Sequence, residues 1–425
     1  MEILLGLLGG LALFLYGMQM MSSGLEAVAG DRMKSILEKL TSNRFVGVLV
    51  GCLITMVIQS SSATTVMAVG FVNAQMMTLR QAVWVIMGAN IGTTVTGQLI
   101  ALDIGAIAPL IAFLGVVLVV FMKGQTKRQI GEIIAGLGIL FLGMNMMSSA
   151  MTPLREMPAF VNTVSHFSNP LVGILVGAGF TALIQSSSAS VGVMQALALS
   201  GIVDLHTAVY VLFGQNIGTC ITAVLASIGA NREAKQTTVI HLSFNIIGTI
   251  IFTIICMSTP LTDFVMSWTP KDAPQQIANM HTLFNVCTTI LLIPFGYKLA
   301  DFAEKVLPSE DRKEDSVLQY LQPIPKSNKM VGSAAINIYQ VSDEIIHMMN
   351  LAYKNIDDAF KQLIQFTSDR SDEIVKREDT VNILNTEISD YISAALANPN
   401  VNANSSQALA SFYLSLVHLE RMSDY

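Results

Sequence analysis

The sequence predicts an all-α, polytopic membrane protein with two inverted-topology repeats, each containing a re-entrant helical hairpin, followed by a cytoplasmic helical bundle. Three observations predict this class. Of the 425 residues, 52% are hydrophobic and only 13% are charged, whereas soluble domains carry about 25% charged residues. A polar motif, QSSS, occurs at Gln59 and again 126 positions later at Gln185. The charged residues concentrate after residue 300, which indicates a second, water-soluble domain.

Seven apolar segments are long enough to cross a bilayer, whose core of about 30 Å needs roughly 20 apolar residues in a helix. The predicted spans are 3–22, 82–102, 104–122, 130–150, 208–228, 237–258 and 278–298. No basic segment precedes the first of them, which favours a spanning helix over a cleaved signal peptide.

The two segments that contain QSSS have a different design. Residues 46–58 form an apolar arm that is too short to cross, the polar cluster follows, and a second short arm ends near residue 72. Non-helical backbone persists at membrane depth only where it is buried in protein or lines a cavity. We therefore expect re-entrant hairpins over 46–72 and 172–198, with QSSS at their tips.

The offset of 126 residues extends well beyond QSSS. "GMQMMSS" at 17–23 matches "GMNMMSS" at 143–149, and "GANIGTT" at 88–94 matches "GQNIGTC" at 214–220. Such agreement indicates an internal duplication. The Met-rich pair is interpreted as helix packing.

These matches predict a transporter core over 1–300. Repeat 1 covers about 3–123, repeat 2 about 129–258, and an extra span lies at 278–298. An odd number of crossings in each repeat inverts the second copy relative to the first. Inverted repeats are typical of secondary transporters, whose substrate site lies between the copies near the midplane.

Basic residues orient the predicted spans. With the N-terminus outside, ten loop Lys and Arg residues fall on the inner side, and only Arg155 and Lys271 fall outside. This bias follows the positive-inside rule and places the C-terminal domain in the cytoplasm. The first hairpin then enters from the cytoplasm and the second from outside. The net charge of −6 gives no basic surface for nucleic acid.

The two QSSS motifs are the candidate substrate site. No Lys, Arg, Asp or Glu occurs in 45–79, 81–102 or 157–203. Serine hydroxyls and glutamine amides both donate and accept hydrogen bonds, and helix N-termini favour anions. This chemistry suits a tetrahedral oxyanion accompanied by metal cations. The candidate substrate-binding residues are Gln59, Ser60, Ser61, Ser62, Gln185, Ser186, Ser187 and Ser188.

Two Gly, Asn and Thr clusters, at 88–97 and 214–223, interrupt apolar spans and predict broken helices whose oxygens coordinate sodium. The sodium candidates are Asn90, Thr93, Thr94, Asn216 and Thr219. A related pattern, "HLSFN" at 241–245 and "HTLFN" at 281–285, places His and Asn on one helical face. Interhelical hydrogen bonding is the favoured interpretation of that pattern.

Helix packing and enzymatic catalysis are the two alternatives to a substrate site at QSSS. Small serines let membrane helices approach closely, but duplication at paired half-spans favours a site. An enzyme with a serine nucleophile is disfavoured, because no His or Asp lies near either motif and neither has a strand-turn-helix context. We therefore expect a protein that is not an enzyme.

The pairs "QSSSATT"/"QSSSASV" and "GANIGTT"/"GQNIGTC" resemble the type II sodium-phosphate cotransporter family in its bacterial form, over roughly residues 3–300. The resemblance implies symport of inorganic phosphate with sodium as the coupling ion, and no other cofactor. It places both QSSS motifs at the phosphate site, and sodium among them, Thr64 and the Asn/Thr clusters. It also implies a multi-pass protein of the bacterial plasma membrane, and a homodimer is an expected assembly.

Residues 301–329 read as a linker, and 330–425 resemble part of a PhoU domain, with helices expected at 333–366, 371–396 and 405–425. "LERMSDY" matches that family's E-x-x-x-D pattern, so the resemblance implies a metal at Glu420 and Asp424. An exposed charge pair is the favoured interpretation of these two residues, because the earlier helix offers Glu378 with Asn382 where a second carboxylate is expected. The resemblance also makes phosphate-signalling proteins expected partners of this tail.

The leading hypothesis is a sodium-coupled symporter that imports phosphate by alternating access. Two alternatives stay open: a sodium-coupled carrier of another oxyanion, and a membrane anchor or sensor for the PhoU-like domain.

Overall fold

The computed structural model describes residues 2–29, 43–74, 77–102, 104–308, 317–321, 333–365, 371–396 and 403–424. These residues are mainly helical and contain no strand. The first repeat contains α1 (Glu2–Ala29), α2 (Arg44–Ile58), α3 (Ser61–Asn73), α4 (Leu79–Ile100) and α5 (Ala108–Phe121). The second contains α6 (Gln125–Met151), α7 (Pro158–Ser165), α8 (Pro170–Ile184), α9 (Ser187–Leu199), α10 (Leu205–Gly218), α11 (Ile221–Ala226) and α12 (Arg232–Ser258). The remaining helices are α13 (Leu261–Met266), α14 (Ala273–Leu292), α15 (Gly296–Val306), α16 (Ser333–Gln365), α17 (Ser371–Leu396) and α18 (Ala403–Asp424).

Six helical segments among the described residues are long and apolar enough to cross a membrane, or seven if one bent pair counts as a span. The six are Glu2–Leu25, Leu79–Ile100, Gln125–Glu156, Leu205–Ala226, Arg232–Ser258 and Ala273–Val306. The bent pair, Pro158–Ser168 and Pro170–Ile184, turns by 103°. The span expected at 104–122 forms only a short apolar helix, Gly105–Phe121. The chain is thus a multi-pass, all-α membrane protein, as predicted.

The predicted duplication is visible in the helix boundaries. Helices α2 and α8 begin and end at positions 126 apart, and so do α3 and α9. Helix α4 corresponds over its full length to α10 and α11 together. The expected hairpins are therefore present in both repeats, and each consists of two short helices joined at QSSS.

Helices α1 and α6 cross as an antiparallel pair related by the same offset. A Cβ at Gly17 would lie 2.4 Å from the Leu140 nitrogen, and a Cβ at Gly143 would lie 2.3 Å from the Phe14 nitrogen. Each glycine lets the partner backbone approach where a side chain would collide with it. Adding 126 to Gly17 and Phe14 gives Gly143 and Leu140, so each contact is the repeat equivalent of the other. A pseudo-two-fold axis therefore passes between these helices.

The Gly, Asn and Thr clusters were expected to break both helices, and this expectation is wrong for the first copy. Helix α4 is continuous through 88–97, and only the second copy is interrupted, at Thr219 and Cys220. A Cβ at Gly88 would lie 2.0 Å from the Val48 carbonyl oxygen. Close packing of α4 on α2 thus explains a glycine that the sequence suggested was a helix break.

Helices α12 and α14 both pack against α10. Phe213 of α10 stacks on Phe284 of α14 with ring centroids 4.9 Å apart. The asparagines of the "HLSFN" and "HTLFN" patterns make the expected interhelical hydrogen bonds: Asn245 Nδ2 donates to Cys220 Sγ over 3.3 Å, and Asn285 Nδ2 donates to Asn216 Oδ1 over 3.4 Å. The histidines do not follow this expectation: both ring nitrogens of His241 and Nδ1 of His281 are buried without a partner in the described chain.

The C-terminal tail is a bundle of α16, α17 and α18, close to the three predicted helices. Its apolar core includes Val341, Met348 and Leu384, all fully buried. Within this bundle Arg377 and Asp358 form an ion pair of 2.6 Å, with side chains only 14% and 4% exposed. Helix α16 also contacts α3, so the tail touches the first hairpin. Most of the predicted linker lies outside the described residues.

Candidate functional site

Each hairpin turns at its glutamine through an unusual backbone conformation. Gln59 has φ 57° and Gln185 has φ 60°, and in the part of the chain that the structure describes they are the two non-glycine residues with positive φ. The left-handed conformation costs about 1–2 kcal/mol for an ordinary residue. Such strain persists where surrounding structure requires it and is typical of functional sites.

The residue after each glutamine starts the second helix of its hairpin. Ser60 Oγ accepts from the Ala63 N–H over 3.1 Å, and Ser186 Oγ accepts from the Ala189 N–H over 3.2 Å. The first N–H groups of a helix have no carbonyl partner within it, and this end carries partial positive charge. Both QSSS motifs therefore present helix N-termini at the hairpin tips.

A hydroxyl pair ties the two arms of each hairpin together. Thr55 Oγ1 donates to Thr64 Oγ1 over 2.9 Å, and Thr181 Oγ1 donates to Ser190 Oγ over the same 2.9 Å in the second repeat. Thr64, a predicted sodium ligand, also donates to the Ser60 carbonyl over 3.2 Å. Its hydroxyl is thus engaged in bracing the hairpin.

The two tips meet at one cavity of about 110 Å³. Seven of the eight predicted substrate residues line it, together with three residues of α1. The lining consists of Met18, Gln19, Ser22, Gln59, Ser60, Ser61, Ser62, Ser186, Ser187 and Ser188. None of these lining residues is charged. The cavity can therefore bind a ligand only through hydroxyls, amides and helix N-termini.

The two glutamines occupy different environments. Gln59 is 5% exposed; its Oε1 accepts from Thr96 Oγ1 over 2.8 Å, and its Nε2 donates to the Met56 carbonyl. Gln185 is exposed and does not line the cavity. The structure thus brings one predicted glutamine to the cavity and leaves the other outside it.

Sequence reasoning misses the contribution of α1. The "GMQMMSS" motif is typical of helix packing, yet Met18, Gln19 and Ser22 line the cavity, and Ser22 Oγ donates to the Ile58 carbonyl over 2.6 Å. The signal that could reveal this role is the recurrence of polar residues inside the motif, Gln19 with Asn145 and Ser22 with Ser148.

The predicted sodium residues fall into two groups. Some hydroxyls and amides have protein partners: Thr94 Oγ1 donates to the Ile91 carbonyl over 2.8 Å, and Asn216 Nδ2 donates to the Leu212 carbonyl over 2.9 Å. Thr93 Oγ1 lies 3.5 Å from Ser187 Oγ, which links α4 to the second tip.

Thr219 Oγ1 and Asn90 Nδ2 form the second group. Both atoms are buried and have no hydrogen-bond partner within the described chain. An unpartnered buried hydroxyl costs about 1–3 kcal/mol. Of the two, the Thr219 oxygen has lone pairs that suit a cation, whereas the Asn90 nitrogen is a donor.

The tail metal predicted at Glu420 and Asp424 remains a prediction. Glu420 is half-buried on α18, and the side chain of Asp424 lies outside the described residues. Among the residues that are described, no group of three or more His, Cys, Asp or Glu side chains is arranged to hold a metal ion.

Comparisons with known proteins agree with the architecture. Residues 13–149 and 156–278 match a family model described as Na+/Pi-cotransporter, and residues 345–425 match the PhoU domain. "Uncharacterized protein YqeW" of Bacillus subtilis is 33% identical over 296 residues, which cover 69% of this chain and 95% of that protein.

Other relatives carry functional names. "Putative inorganic phosphate export protein YjbB" of Salmonella typhimurium is 25% identical over 423 residues, covering 99% of this chain and 76% of that protein. Human "Sodium-dependent phosphate transport protein 2B" is 37% identical over 98 residues, covering 23% of this chain and 14% of that protein. No solved structure matches the chain.

Proposed function

Because the chain belongs to the Na+/Pi-cotransporter family, we propose that it carries inorganic phosphate across the membrane together with sodium ions. The observation that carries this proposal is the convergence of Gln59–Ser62 and Ser186–Ser188 on one uncharged cavity. Two helix N-termini and several hydroxyls directed at one small volume form a site for a compact oxyanion.

The electrostatics of this cavity favour cotransport over transport of the anion alone. Its lining supplies partial positive charge from helix ends but no Lys or Arg. An anion in a poorly hydrated membrane interior is costly without a full countercharge. Sodium ions bound beside the phosphate supply that charge, and the resulting neutral or weakly charged assembly crosses at lower cost.

Thr219 is the strongest sodium candidate among those predicted from the sequence. Its buried hydroxyl oxygen has no partner among the described residues, and the Asn216 amide beside it already contacts Asn285. A monovalent cation bound to oxygen ligands would satisfy the Thr219 oxygen.

The expected direction is import, because a sodium gradient directed inward drives a symported anion inward. Export is the second candidate, supported by the phosphate-export name of relatives that align with 99% of this chain. A symporter is reversible, so the same cavity serves either direction, and the imposed gradients decide the net flux.

The test uses the full chain in proteoliposomes loaded without phosphate, with radiolabelled phosphate outside. An inward sodium gradient should produce accumulation of phosphate, and an equal potassium gradient should not. Phosphate flux of equal size in both gradients would refute sodium coupling. Efflux from phosphate-loaded vesicles that is equally fast in the complete absence of sodium would favour the export candidate.

Competition separates the remaining alternatives. Excess unlabelled phosphate should block uptake, and sulfate should not if the site selects phosphate. Inhibition by sulfate at an equal concentration would favour a broader oxyanion carrier. The absence of flux for every oxyanion tested would favour an anchor or sensor role for the membrane part.

A further inference from the structure

The two hairpins are nearly identical inside but differ in their contacts outside. The tip φ angles are 57° and 60°, and the brace between the two arms measures 2.9 Å in both repeats. Local folding is therefore the same in both copies. Any difference between their surroundings reflects where each hairpin sits relative to the rest of the protein.

The tip of the first hairpin accepts two hydrogen bonds from other helices. Thr96 of α4 donates to the Gln59 side chain over 2.8 Å, and Ser22 of α1 donates to the Ile58 carbonyl over 2.6 Å. These donors fix both the side chain and the backbone of the tip. Gln59 is buried as a result.

The second repeat has the same residue types at the equivalent positions but does not use them in this way. Thr222 corresponds to Thr96, and Ser148 corresponds to Ser22. Thr222 Oγ1 instead donates to the Thr219 carbonyl over 3.0 Å, and Gln185 is exposed. In the described chain no hydrogen bond joins Ser148 to the tip at Ile184. Thr222 and Ser148 therefore make no hydrogen bond to the second tip in this structure.

The two serines lie toward opposite ends of the α1–α6 pair. Gly17 packs on Leu140 and Gly143 packs on Phe14, so the pair is antiparallel and its centre lies between these contacts. Ser22 and Ser148 each lie about seven residues beyond that centre, in opposite directions, or roughly 20 Å apart at 1.5 Å per residue. The cavity is lined by α1 near Ser22, so the tips now lie toward that end.

We propose that Thr222 and Ser148 are positioning residues for the second hairpin in the opposite-facing state. In that state Thr222 donates to Gln185, Ser148 donates to the Ile184 carbonyl, and the bonds of Thr96 and Ser22 to the first hairpin are broken. Thr96 then donates to the Thr93 carbonyl, as Thr222 now donates to that of Thr219, so the exchanged set has the same number and type of hydrogen bonds. This equality favours two states of similar energy. This inference rests on the proposed alternating-access transport and assigns residues to its second state.

The test compares two cysteine pairs, each in its own full-length variant, cross-linked in membranes and identified as linked peptides by mass spectrometry. The pair S22C/I58C reports the present state, and S148C/I184C reports the opposite state. Both cross-links should form in membranes, and sodium with phosphate should change their yields in opposite directions. Failure of S148C/I184C to form under every combination of sodium and phosphate would overturn the proposal.

Valine substitutions at Thr222 and Thr96 then test whether the two threonines shift the ratio of cross-link yields in opposite directions. Thr222→Val removes its bond to the Thr219 carbonyl in the present state and its bond to Gln185 in the opposite state, but only in the opposite state does it leave a buried side-chain amide without its donor. The S148C/I184C yield should therefore fall relative to S22C/I58C by about fivefold, and Thr96→Val should shift the ratio the other way. Thr222→Ser should restore it. A role of Thr222 in stability alone would reduce both yields together and leave the ratio unchanged, which would refute the assignment.

These readouts do not depend on phosphate flux. Opposed cross-link yields in a protein that moves no phosphate would retain the contact exchange and refute the proposed function. Sodium-driven phosphate flux with a fixed cross-link ratio would support the proposed function and refute the contact exchange.

Discussion

The hydroxyl of Thr96 donates to Gln59 Oε1 over 2.8 Å, across a sequence separation of 37 residues. The Nε2 of the same amide donates to the Met56 carbonyl at the end of α2. Gln59 therefore ties the hairpin tip to α4 while lining the cavity. A glutamine meets this demand because its side chain carries both an acceptor and donors, whereas serine offers a single atom.

Gln59→Glu should reduce phosphate transport to background at neutral pH. The carboxylate still accepts from Thr96, but it has no N–H for the Met56 carbonyl, and it places negative charge beside the substrate anion. Protonation at low pH removes the added charge and should restore part of the flux. Radiolabelled phosphate uptake across a pH series measures the effect.

Gln59→Leu is the matched control, because it removes both hydrogen bonds without adding charge. It should be slow at every pH, with no recovery on acidification. We expect Gln185→Glu to behave like Gln59→Glu, since the proposed cycle buries each glutamine in turn. Unimpaired uptake by Gln59→Glu at neutral pH would show that Gln59 does not face the anion.

Gly88→Ala should destabilise the membrane domain. The added Cβ would lie 2.0 Å from the Val48 carbonyl oxygen, which belongs to backbone and cannot move aside alone. Overpacking of this kind costs about 1–3 kcal/mol. The melting temperature in detergent should fall, whereas Gly179→Ala, with nothing within 4 Å of its Cβ, should leave it unchanged. Equal melting temperatures for both variants would contradict the packing role of Gly88.

Hairpins and the duplication were predictable because they depend on local length and on recurrence along the chain. The arm at 46–58 is too short to cross a bilayer whatever surrounds it. The continuity of α4 was not predictable in this way, because Gly88 can either break a helix or admit a neighbouring backbone. Only the position of Val48 distinguishes these two roles.

The difference between Gln59 and Gln185 was also beyond sequence reasoning. The two tips have the same residues and the same backbone angles, so their unequal burial comes from the placement of whole hairpins. The contacts that distinguish them, from Thr96 and Ser22, join positions 36 or 37 residues apart. A duplicated sequence specifies both arrangements equally.

Glu344→Gln should release the segment 317–321 from the tail. The Glu344 side chain is fully buried and accepts from the backbone N–H groups of Gln319, Tyr320 and Leu321 and from His347 Nδ1. An amide has one acceptor atom and brings an NH₂ group toward those donors. Hydrogen exchange at the Tyr320 and Leu321 amides should accelerate at least tenfold, since hydrogen bonds to a charged group contribute about 1.5–3 kcal/mol.

The control for this change is Asp357→Asn. Asp357 pairs with Lys361 on the exposed surface of the same helix, so its neutralisation removes charge without removing a buried acceptor. Exchange at Tyr320 and Leu321 should then stay at the wild-type rate. Equal acceleration in both variants would point to a general effect of charge on the tail.

The stability of the tail should fall in alkaline solution because of Tyr391. Burial raises the pKa of this phenol, whose hydroxyl donates to Gln340 Oε1 over 2.7 Å and lies 3.1 Å from Asn337 Oδ1. The unfolded chain ionises first, near pH 10, so the stabilisation is complete below that pH and is lost as pH rises above it. The advantage of wild type over Tyr391→Phe in resistance to proteolysis should therefore narrow above about pH 10. A constant ratio of cleavage rates, as expected for the exposed Tyr413→Phe, would contradict this.

Thr219→Val should separate a sodium ligand from a packing residue. The Thr219 hydroxyl is buried without a partner in the described chain, so valine removes a desolvated polar group and should raise the melting temperature in sodium-free buffer. If the oxygen binds sodium, the same change should shrink the sodium-induced rise in melting temperature, because that rise reflects binding to the folded state. Thr94→Val is the matched control, since its hydroxyl is already bonded to Ile91; it should keep the full sodium response. A full sodium response in Thr219→Val as well would assign Thr219 to helix packing.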